Sequence, residues 1–220
     1  MSPTLLADQV YEMIQAAILN GDLAAGSRLK VLGLAEQVGT SGTPVREAIR
    51  RLEETGLVER NPHKGAVVRR LSFEELIHVY DVRRLLETEA ARLGAEKVTT
   101  KDCERMQSEY EMMRGAIVER QVIALLDHDE ALLATLYHAG GNPVLLQKIR
   151  ALWHQCRAYK IVGAQGSLDA AEEEPLWHYQ EDLIKAALSQ DSATAAAINE
   201  ASLLDASKRI KARLAELSAD

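Results

Sequence analysis

LAEQVGTSGTPVREAIRRLEETGLVERNPHKGAVVRR, residues 34–70, contains a helical pattern, a glycine-bearing turn, a second helical pattern with arginines on one face, and a short hairpin pattern. The turn runs from Gly39 to Gly42, where small residues allow two short helices to meet at a steep angle. Thr43 is a plausible cap for the second helix, with Pro44 at the first helical position. This order of elements predicts a helix-turn-helix.

The second helix separates its residues into two faces. Arg46 and Arg50 are four residues apart and therefore neighbours on the helix surface, with Arg51 beside them. The apolar residues point to the opposite side: Val45, Ile49 and Leu52. The apolar face is predicted to pack against the protein core, and the arginine face is predicted to point to solvent.

Two short apolar stretches follow this helix, at residues 57–60 and 66–69, and predict a pair of strands. Residues 61–65 between them form a polar turn with a basic tip. Such a hairpin can be an ordinary surface feature, but after a basic helix it indicates the wing of a DNA-binding domain. The predicted DNA contacts are Thr43, Arg46, Arg50, Arg51, His63, Lys64 and Gly65.

Composition and charge favour two domains, which we place at residues 1–72 and 73–220. Net charge is −7. Residues 1–72 hold nine Lys and Arg against eight Asp and Glu, whereas the remainder holds seventeen against twenty-five. The acidity therefore belongs to the second part, and the local arginine cluster is the better guide to nucleic-acid binding.

The chain has only two cysteines, no basic-then-apolar leader and no apolar run near the ~20 residues of a membrane span. We therefore expect a soluble, cytoplasmic protein.

Residues 73–220 show helical apolar spacing and no convincing strand pattern. Caps and breakers divide them into about six helices, near 73–95, 100–117, 119–139, 143–163, 170–189 and 191–216. Gly94, Gly140 with Gly141, and the pair Gly163 and Gly166 are interpreted as stops. These patterns predict a mainly α protein, in which a winged helix-turn-helix precedes an antiparallel helical bundle with one long loop at residues 163–169.

The motifs TPVREAIRRLEETGLVER, GDLAAGSRL and KGAVVRRLS resemble the DNA-binding domain of the GntR family of bacterial transcription regulators. EELIHVYDVRRLLETEAARLGAEKVT, LYHAGGNPVLL and LIKAALSQDSATAAAINEA are similar to the FCD branch of that family, whose helical domain senses ligands. The resemblance covers nearly all of the chain. It implies operator DNA, a small-molecule effector and a second copy of the chain as partners.

In the FCD branch the bundle commonly encloses a divalent metal held by one Asp and three His, with a small carboxylate beside it. The resemblance places these positions at Asp129, Leu133, Gln180 and Ser202, so three of the four ligands are absent. One carboxylate with an amide and a hydroxyl is a poor metal site, and we expect neither a metal nor another cofactor. The alternative is a shifted histidine, for which His128, His138, His154 and His178 are the candidates.

Asp129, Gln180 and Ser202 are instead predicted to form a polar patch that hydrogen-bonds a ligand directly, and an organic acid is one candidate for that ligand. Arg83 is a further candidate, because the family has an arginine at this place and a guanidinium suits a carboxylate. An intrahelical pair with Glu87 is the alternative role for Arg83.

The DNA-reading surface also departs from the family pattern, because Leu32 and Gly42 stand where arginines are common. We therefore expect a different operator sequence.

The function most consistent with these patterns is a repressor controlled by a metabolite that binds in the bundle. The alternatives are a metal-dependent enzyme, for which no catalytic constellation is present, and a DNA-binding protein without a ligand.

Overall fold

The computed structural model describes residues 3–169 and 178–219, with the side chains of 5–169 and 178–212. The chain divides into two compact units, one of Met1–Leu71 with His154–Ala158 and the other of Ser72–Trp153 with Tyr159–Asp220. None of the described helices combines the length and apolar character needed to cross a bilayer.

The first unit contains α1 (Pro3–Leu19), α2 (Val31–Val38), α3 (Gly42–Glu54), β1 (Val58–Asn61) and β2 (Gly65–Val68). Its core joins the apolar faces of these elements, and Val10, Ile14, Val45 and Leu52 are all fully buried in it. The predicted apolar face of α3 is therefore confirmed.

The two strands form an antiparallel hairpin in which Val58 pairs with Val68 and Asn61 with Gly65. Each strand lies within one residue of its predicted position. The segment before α2 pairs with the free side of β2, where Leu29 N–H donates to Ala66 O at 2.9 Å. The winged helix-turn-helix fold is thus confirmed.

The start of α3 differs from the prediction. The helix begins at Gly42, its N-cap is Ser41, and Pro44 is the third helical residue. Gly39 ends α2 in the left-handed region at φ 67°, which brings the chain into α3 earlier than a Thr43 cap would. Pro44 is tolerated there because the N–H groups of the first turn have no partner within the helix.

The second unit is a bundle of α4 (Phe73–Ala95), α5 (Thr100–Val118), α6 (Val122–Ala139), α7 (Pro143–Asp169), α8 (His178–Leu188) and α9 (Ser192–Ala219). Ser72 and Thr99 form capping boxes at the starts of α4 and α5. Asp191 Oδ1 accepts from Thr194 N–H at 3.0 Å and so caps α9. These capped starts agree with the prediction.

Two glycine interpretations were wrong. Gly163 and Gly166 lie inside α7, so the predicted loop at residues 163–169 is helical. A helical glycine costs about 1 kcal/mol relative to alanine, and burial of Ala164 and Leu168 in a local apolar cluster offsets that cost. Residues 170–177, predicted as the start of the next helix, lie outside the described residues.

Gly94 lies one residue before the end of α4 at Ala95, where the helix was predicted to stop. Its function is close packing: a Cβ at this position would lie 2.1 Å from Leu136 O on α6. Leu136 is fully buried in the main bundle core. Gly94 therefore lets the backbones of α4 and α6 approach each other.

Candidate functional site

The outward face of α3 carries the arginines that the helical spacing predicted to reach outward. Arg46, Arg50 and Thr43 are exposed, whereas Ala48 and Ile49 on the other side are buried. Because the helix is anchored by its apolar face, the side chains of Arg46 and Arg50 face solvent. This arrangement suits a helix that enters the major groove.

Arg50 is held between two carboxylates of its own helix. Its Nε and Nη2 donate to Glu47 at 3.1 and 2.5 Å, and its Nη1 donates to Glu54. The hydrogen bond from Arg50 holds the pKa of Glu47 below its ordinary value, and Glu47 in turn raises the pKa of Arg50. Arg50 is therefore oriented, but a nucleic-acid ligand must displace one or both carboxylates.

Arg46 lies across the start of α3. A Cβ on Gly42 would lie 3.3 Å from the Arg46 guanidinium and 3.3 Å from Val31 Cγ1. Within the described residues, Arg46 has no hydrogen bond or ion pair. The absence of a side chain at Gly42 thus gives this guanidinium room beside the turn.

Arg51 contacts α1. Its Nη1 donates to Asp8 Oδ1 at 2.5 Å, and its guanidinium carbon lies 4.6 Å from the centre of the Tyr11 ring. These contacts join α3 to α1. In this arrangement Arg51 fixes the helix that carries Arg46 and Arg50.

The tip of the hairpin presents His63, Lys64 and Gly65 to solvent. Asn61 Oδ1 accepts the backbone N–H groups of His63 and Lys64 at 3.0 and 3.1 Å, which stabilises the turn. Gly65 has φ 75°, a conformation that favours glycine. The basic tip is therefore held in a defined shape.

The interior of the bundle contains a buried polar network centred on Glu87. Its carboxylate accepts from Arg83 Nε at 2.7 Å and from Trp153 Nε1 at 3.0 Å, and it lies 3.3 Å from the Tyr137 oxygen. Burial, followed by the charge of Glu87, holds the pKa of Tyr137 well above its ordinary value. The single proton of Tyr137 OH is donated to Asn199 Oδ1 at 2.8 Å, the shorter of its two contacts, so the network reaches α9.

Arg83 makes the intrahelical pair with Glu87 that its spacing allowed. The side chain is only 5% exposed, and its guanidinium also stacks over the Tyr80 ring at 4.6 Å. Its charge is therefore compensated inside α4. A ligand at Arg83 would compete with Glu87.

Asp129, whose side chain is 15% exposed, belongs to a second polar group. Its Oδ1 accepts from Gln180 Nε2 at 2.7 Å, and its Oδ2 accepts from Lys160 Nζ at 3.3 Å. Lys160 also donates to Glu130 at 3.2 Å. The structure thus brings Asp129 and Gln180 together as predicted, while Ser202 is half-buried on α9 and has no hydrogen bond among the described residues.

These donors do not fit a divalent cation. Both Asp129 oxygens receive N–H groups, one of them from a cationic ammonium, and Leu133 one turn along α6 offers no ligand atom. Among the candidate histidines, His128 hydrogen-bonds Glu109 at 2.9 Å and His178 contacts the Tyr179 ring. No group of three or more His, Cys, Asp or Glu able to hold a metal occurs in the described part of the chain.

Sequence reasoning missed three residues of these networks, namely Tyr137, Lys160 and Asn199. A signal existed for Tyr137, because Asp129, Leu133 and Tyr137 are spaced by four residues and therefore share one face of α6. The contacts of Lys160 and Asn199 could not be predicted in this way, because they depend on how α7 and α9 are oriented around α6.

Comparisons with known proteins agree with both units. Residues 6–68 match the family model described as bacterial regulatory proteins, gntR family, and residues 78–205 match the FCD domain. A probable D-xylose utilization operon transcriptional repressor of Paenarthrobacter nicotinovorans is 37% identical over 114 residues, which cover 52% of this chain. That match spans half of the relative's own length.

Two comparisons with Escherichia coli proteins extend further. The HTH-type transcriptional regulator McbR of strain K12 is 29% identical over 153 residues, covering 70% of this chain and 69% of McbR. The solved structure of E. coli McbR/YncC superposes with a TM-score of 0.82 at 24% identity, covering 97% of this chain and 99% of that chain. At that identity the structural likeness shows a shared fold.

Proposed function

This chain belongs to the gntR family of bacterial regulatory proteins and carries an FCD domain, and we propose that it is a repressor whose affinity for operator DNA changes when a small molecule binds in the helical bundle. The names of its relatives describe regulators of transcription. Residues 1–72 would bind DNA, and residues 73–220 would sense the effector and form a homodimer.

The observation that carries the DNA-binding part is the two-sided character of α3. Its apolar face is buried against α1, and Arg46 and Arg50 lie on the exposed face. Arginine at such a position can donate two hydrogen bonds to the edge of a guanine. We assign base contacts to Thr43, Arg46 and Arg50, and phosphate contacts to the hairpin tip at residues 63–65.

Two copies of this helix would read two half-sites. A symmetric dimer places its recognition helices about one helical turn of DNA apart, so the operator should be a palindrome. The bundle supplies the interface in this proposal, and an effector that alters the bundle can then alter the spacing of the helices.

The effector-binding part rests on the buried polar groups around Asp129, Gln180 and Glu87. Buried polar groups in a helical bundle are the usual attachment points for a ligand. Since Arg83 is paired with Glu87, we place Arg83 at the edge of the ligand site and Asp129 and Gln180 inside it.

The test replaces Arg50 by alanine and uses Arg92→Ala as a matched control. Arg92 on α4 is half-exposed and pairs with Glu89 and Glu96 at the same −3 and +4 spacing as Arg50 with Glu47 and Glu54. Duplexes selected from a randomised pool with the wild-type protein provide the operator.

Arg50→Ala should weaken binding to the selected duplex by about 5- to 100-fold, the usual value of a bidentate base contact. Arg92→Ala should bind as the wild type does, and both variants should keep the wild-type circular dichroism spectrum. Equal affinities of the two variants for the selected duplex would contradict the assignment of α3 as the reading helix.

A further inference from the structure

Two buried amide side chains in the bundle each have one polar atom that makes a hydrogen bond and one that makes none. Gln180 is 7% exposed and donates through Nε2 to Asp129, whereas Asn199 is 4% exposed and accepts through Oδ1 from Tyr137. Within the described residues, Gln180 Oε1 and Asn199 Nδ2 are buried without a hydrogen-bond partner. One atom is therefore an acceptor and the other a donor.

The two amides lie at the same level of the bundle. Residues 189–191 join α8 to α9, so the two helices run antiparallel. Gln180 precedes the end of α8 by eight residues and Asn199 follows the start of α9 by seven, which places them about 12 and 11 Å from the turn. They therefore stand opposite each other on neighbouring helices.

Both amides are also attached to the same face of α6. Asp129, which holds Gln180, and Tyr137, which holds Asn199, lie two turns apart on that face, with the apolar side chain of Leu133 between them. The acceptor and the donor consequently belong to two side chains that both meet this face of α6. They do not satisfy each other, although their chemistry is complementary.

The charged groups around this region are already paired. Arg83 is neutralised by Glu87, and Lys160 by Asp129 and Glu130. A carboxylate ligand would lie close to these acidic groups and could not donate to Gln180 Oε1. An ammonium group could not accept from Asn199 Nδ2.

A hydroxyl group donates and accepts at once, so it can satisfy both amides. Buried amides without partners are costly to a fold, and a site that retains them discriminates strongly in favour of a ligand that satisfies them. We propose that the effector is an uncharged polyhydroxy compound, a sugar or a polyol, one hydroxyl of which accepts from Asn199 Nδ2 and donates to Gln180 Oε1. This inference rests on the proposed function and names the ligand class of its bundle site.

The first experiment measures the melting temperature and the calorimetric affinity of the full chain with matched probes. The neutral probes are D-xylose, D-ribose, D-glucose and xylitol. The charged probes are D-xylonate, D-gluconate and D-glucosamine, with Zn²⁺ and Ni²⁺ as separate additions. At least one neutral probe should raise the melting temperature and bind about tenfold or more tightly than its charged counterpart.

The inference is overturned if a charged probe binds as tightly as its neutral counterpart, if a metal ion alone gives the only shift, or if no neutral probe shifts the melting temperature.

The second experiment uses Asn199→Leu, a substitution of similar size that removes the unsatisfied donor. Binding of the active neutral probe should fall at least tenfold. The melting temperature of the free protein should stay the same or rise, because a buried unpaired amide is lost and Tyr137 OH can donate to Glu87 instead. Gln147→Met, on the exposed side of α7, is the control and should bind as the wild type does.

A purely structural function of Asn199 predicts the opposite outcome, a lower melting temperature with an unchanged response to the probe, and that result would refute the inference.

Binding of the selected DNA duplex by the same preparation distinguishes a failure of the proposed ligand class from a failure of the proposed regulatory function. If DNA binding is retained and the neutral probes fail, the ligand class is wrong but the regulatory function stands. If the protein binds a neutral probe and no duplex, the proposed function fails instead.

Discussion

Lys64 lies at the tip of a hairpin whose turn is fixed by hydrogen bonds to Asn61. An exposed ammonium in this place is suited to phosphate oxygens, which carry no sequence information. Lys64→Ala should therefore weaken binding to all duplexes by a similar factor and reduce the salt dependence of log K by about one charge.

The measurement is a salt titration of the selected duplex and of a scrambled duplex. Lys101→Ala, an exposed lysine of α5, is the control and should leave both affinities unchanged. A loss confined to the selected duplex would show that Lys64 reads bases.

Contacts and shared faces could be predicted from the sequence where the residues involved lie on the same helix. Arg46 and Arg50, and the pair of Arg83 with Glu87, follow from a spacing of four residues. Lys160 is different, because its contact with Asp129 joins α7 to α6 across 31 residues. Which face of α7 meets α6 depends on packing of the whole bundle, and no local pattern encodes it.

At the scale of elements, the contact of Gly94 with α6 can be tested against a second helical glycine. Gly94→Ala would place a Cβ 2.1 Å from Leu136 O, whereas a Cβ on Gly115 of α5 would meet nothing within 4 Å. Gly94→Ala should destabilise the protein by about 1–3 kcal/mol, as overpacking does, and Gly115→Ala should stabilise it by up to about 1 kcal/mol.

Urea denaturation of both variants measures this difference. Similar effects of the two substitutions would mean that α4 and α6 can separate without cost.

The capping box at the start of α5 should make stability depend on pH. Thr99 Oγ1 and N–H donate to Asp102 Oδ2 at 2.6 and 2.9 Å, and these bonds lower the pKa of Asp102. Because the pKa in the folded state lies below the ordinary value of about 3.9, the stabilisation is present above that pH and disappears as the pH falls through the folded-state pKa.

Thr99→Val should therefore cost about 1 kcal/mol at neutral pH and less in strong acid, where only the bond from Asp102 N–H to Thr99 Oγ1 remains to be lost. The free energy of unfolding, followed by urea titration at several pH values, checks this, with Thr100→Val as the control at the next residue. A cost that does not change with pH would contradict this function of the Thr99–Asp102 pair.

Three helix starts of the bundle were predictable because their caps are local. Ser72, Thr99 and Asp191 each hydrogen-bond a group three residues ahead, and the same residue types mark them in the sequence. Helix ends at glycine were less predictable. Gly163 and Gly166 resemble stops, but burial of their apolar neighbours in the bundle continues α7 to Asp169.

For the molecule as a whole, the proposed division of labour predicts how the parts behave when separated. Residues 73–220 should remain helical and dimeric, because the bundle has its own apolar core. Residues 1–72 should be monomeric and bind the selected duplex weakly, since tethering two copies raises their effective concentration at the second half-site.

Analytical ultracentrifugation of both parts, with circular dichroism and DNA titration, measures this. A monomeric bundle at micromolar concentration would contradict the proposed dimer interface, and tight binding by residues 1–72 alone would show that dimerisation is unnecessary.

The two carboxylates that hold Arg50 also affect how the protein would search a chromosome. Glu47 and Glu54 place negative charge on the surface that faces the phosphates, so every encounter with random sequence carries a repulsive contribution. This repulsion is offset only at a DNA sequence whose bases bind Arg50 more strongly than Glu47 and Glu54 do. We therefore expect short dwell times on non-cognate DNA and faster sampling of the genome, gained at the expense of total affinity.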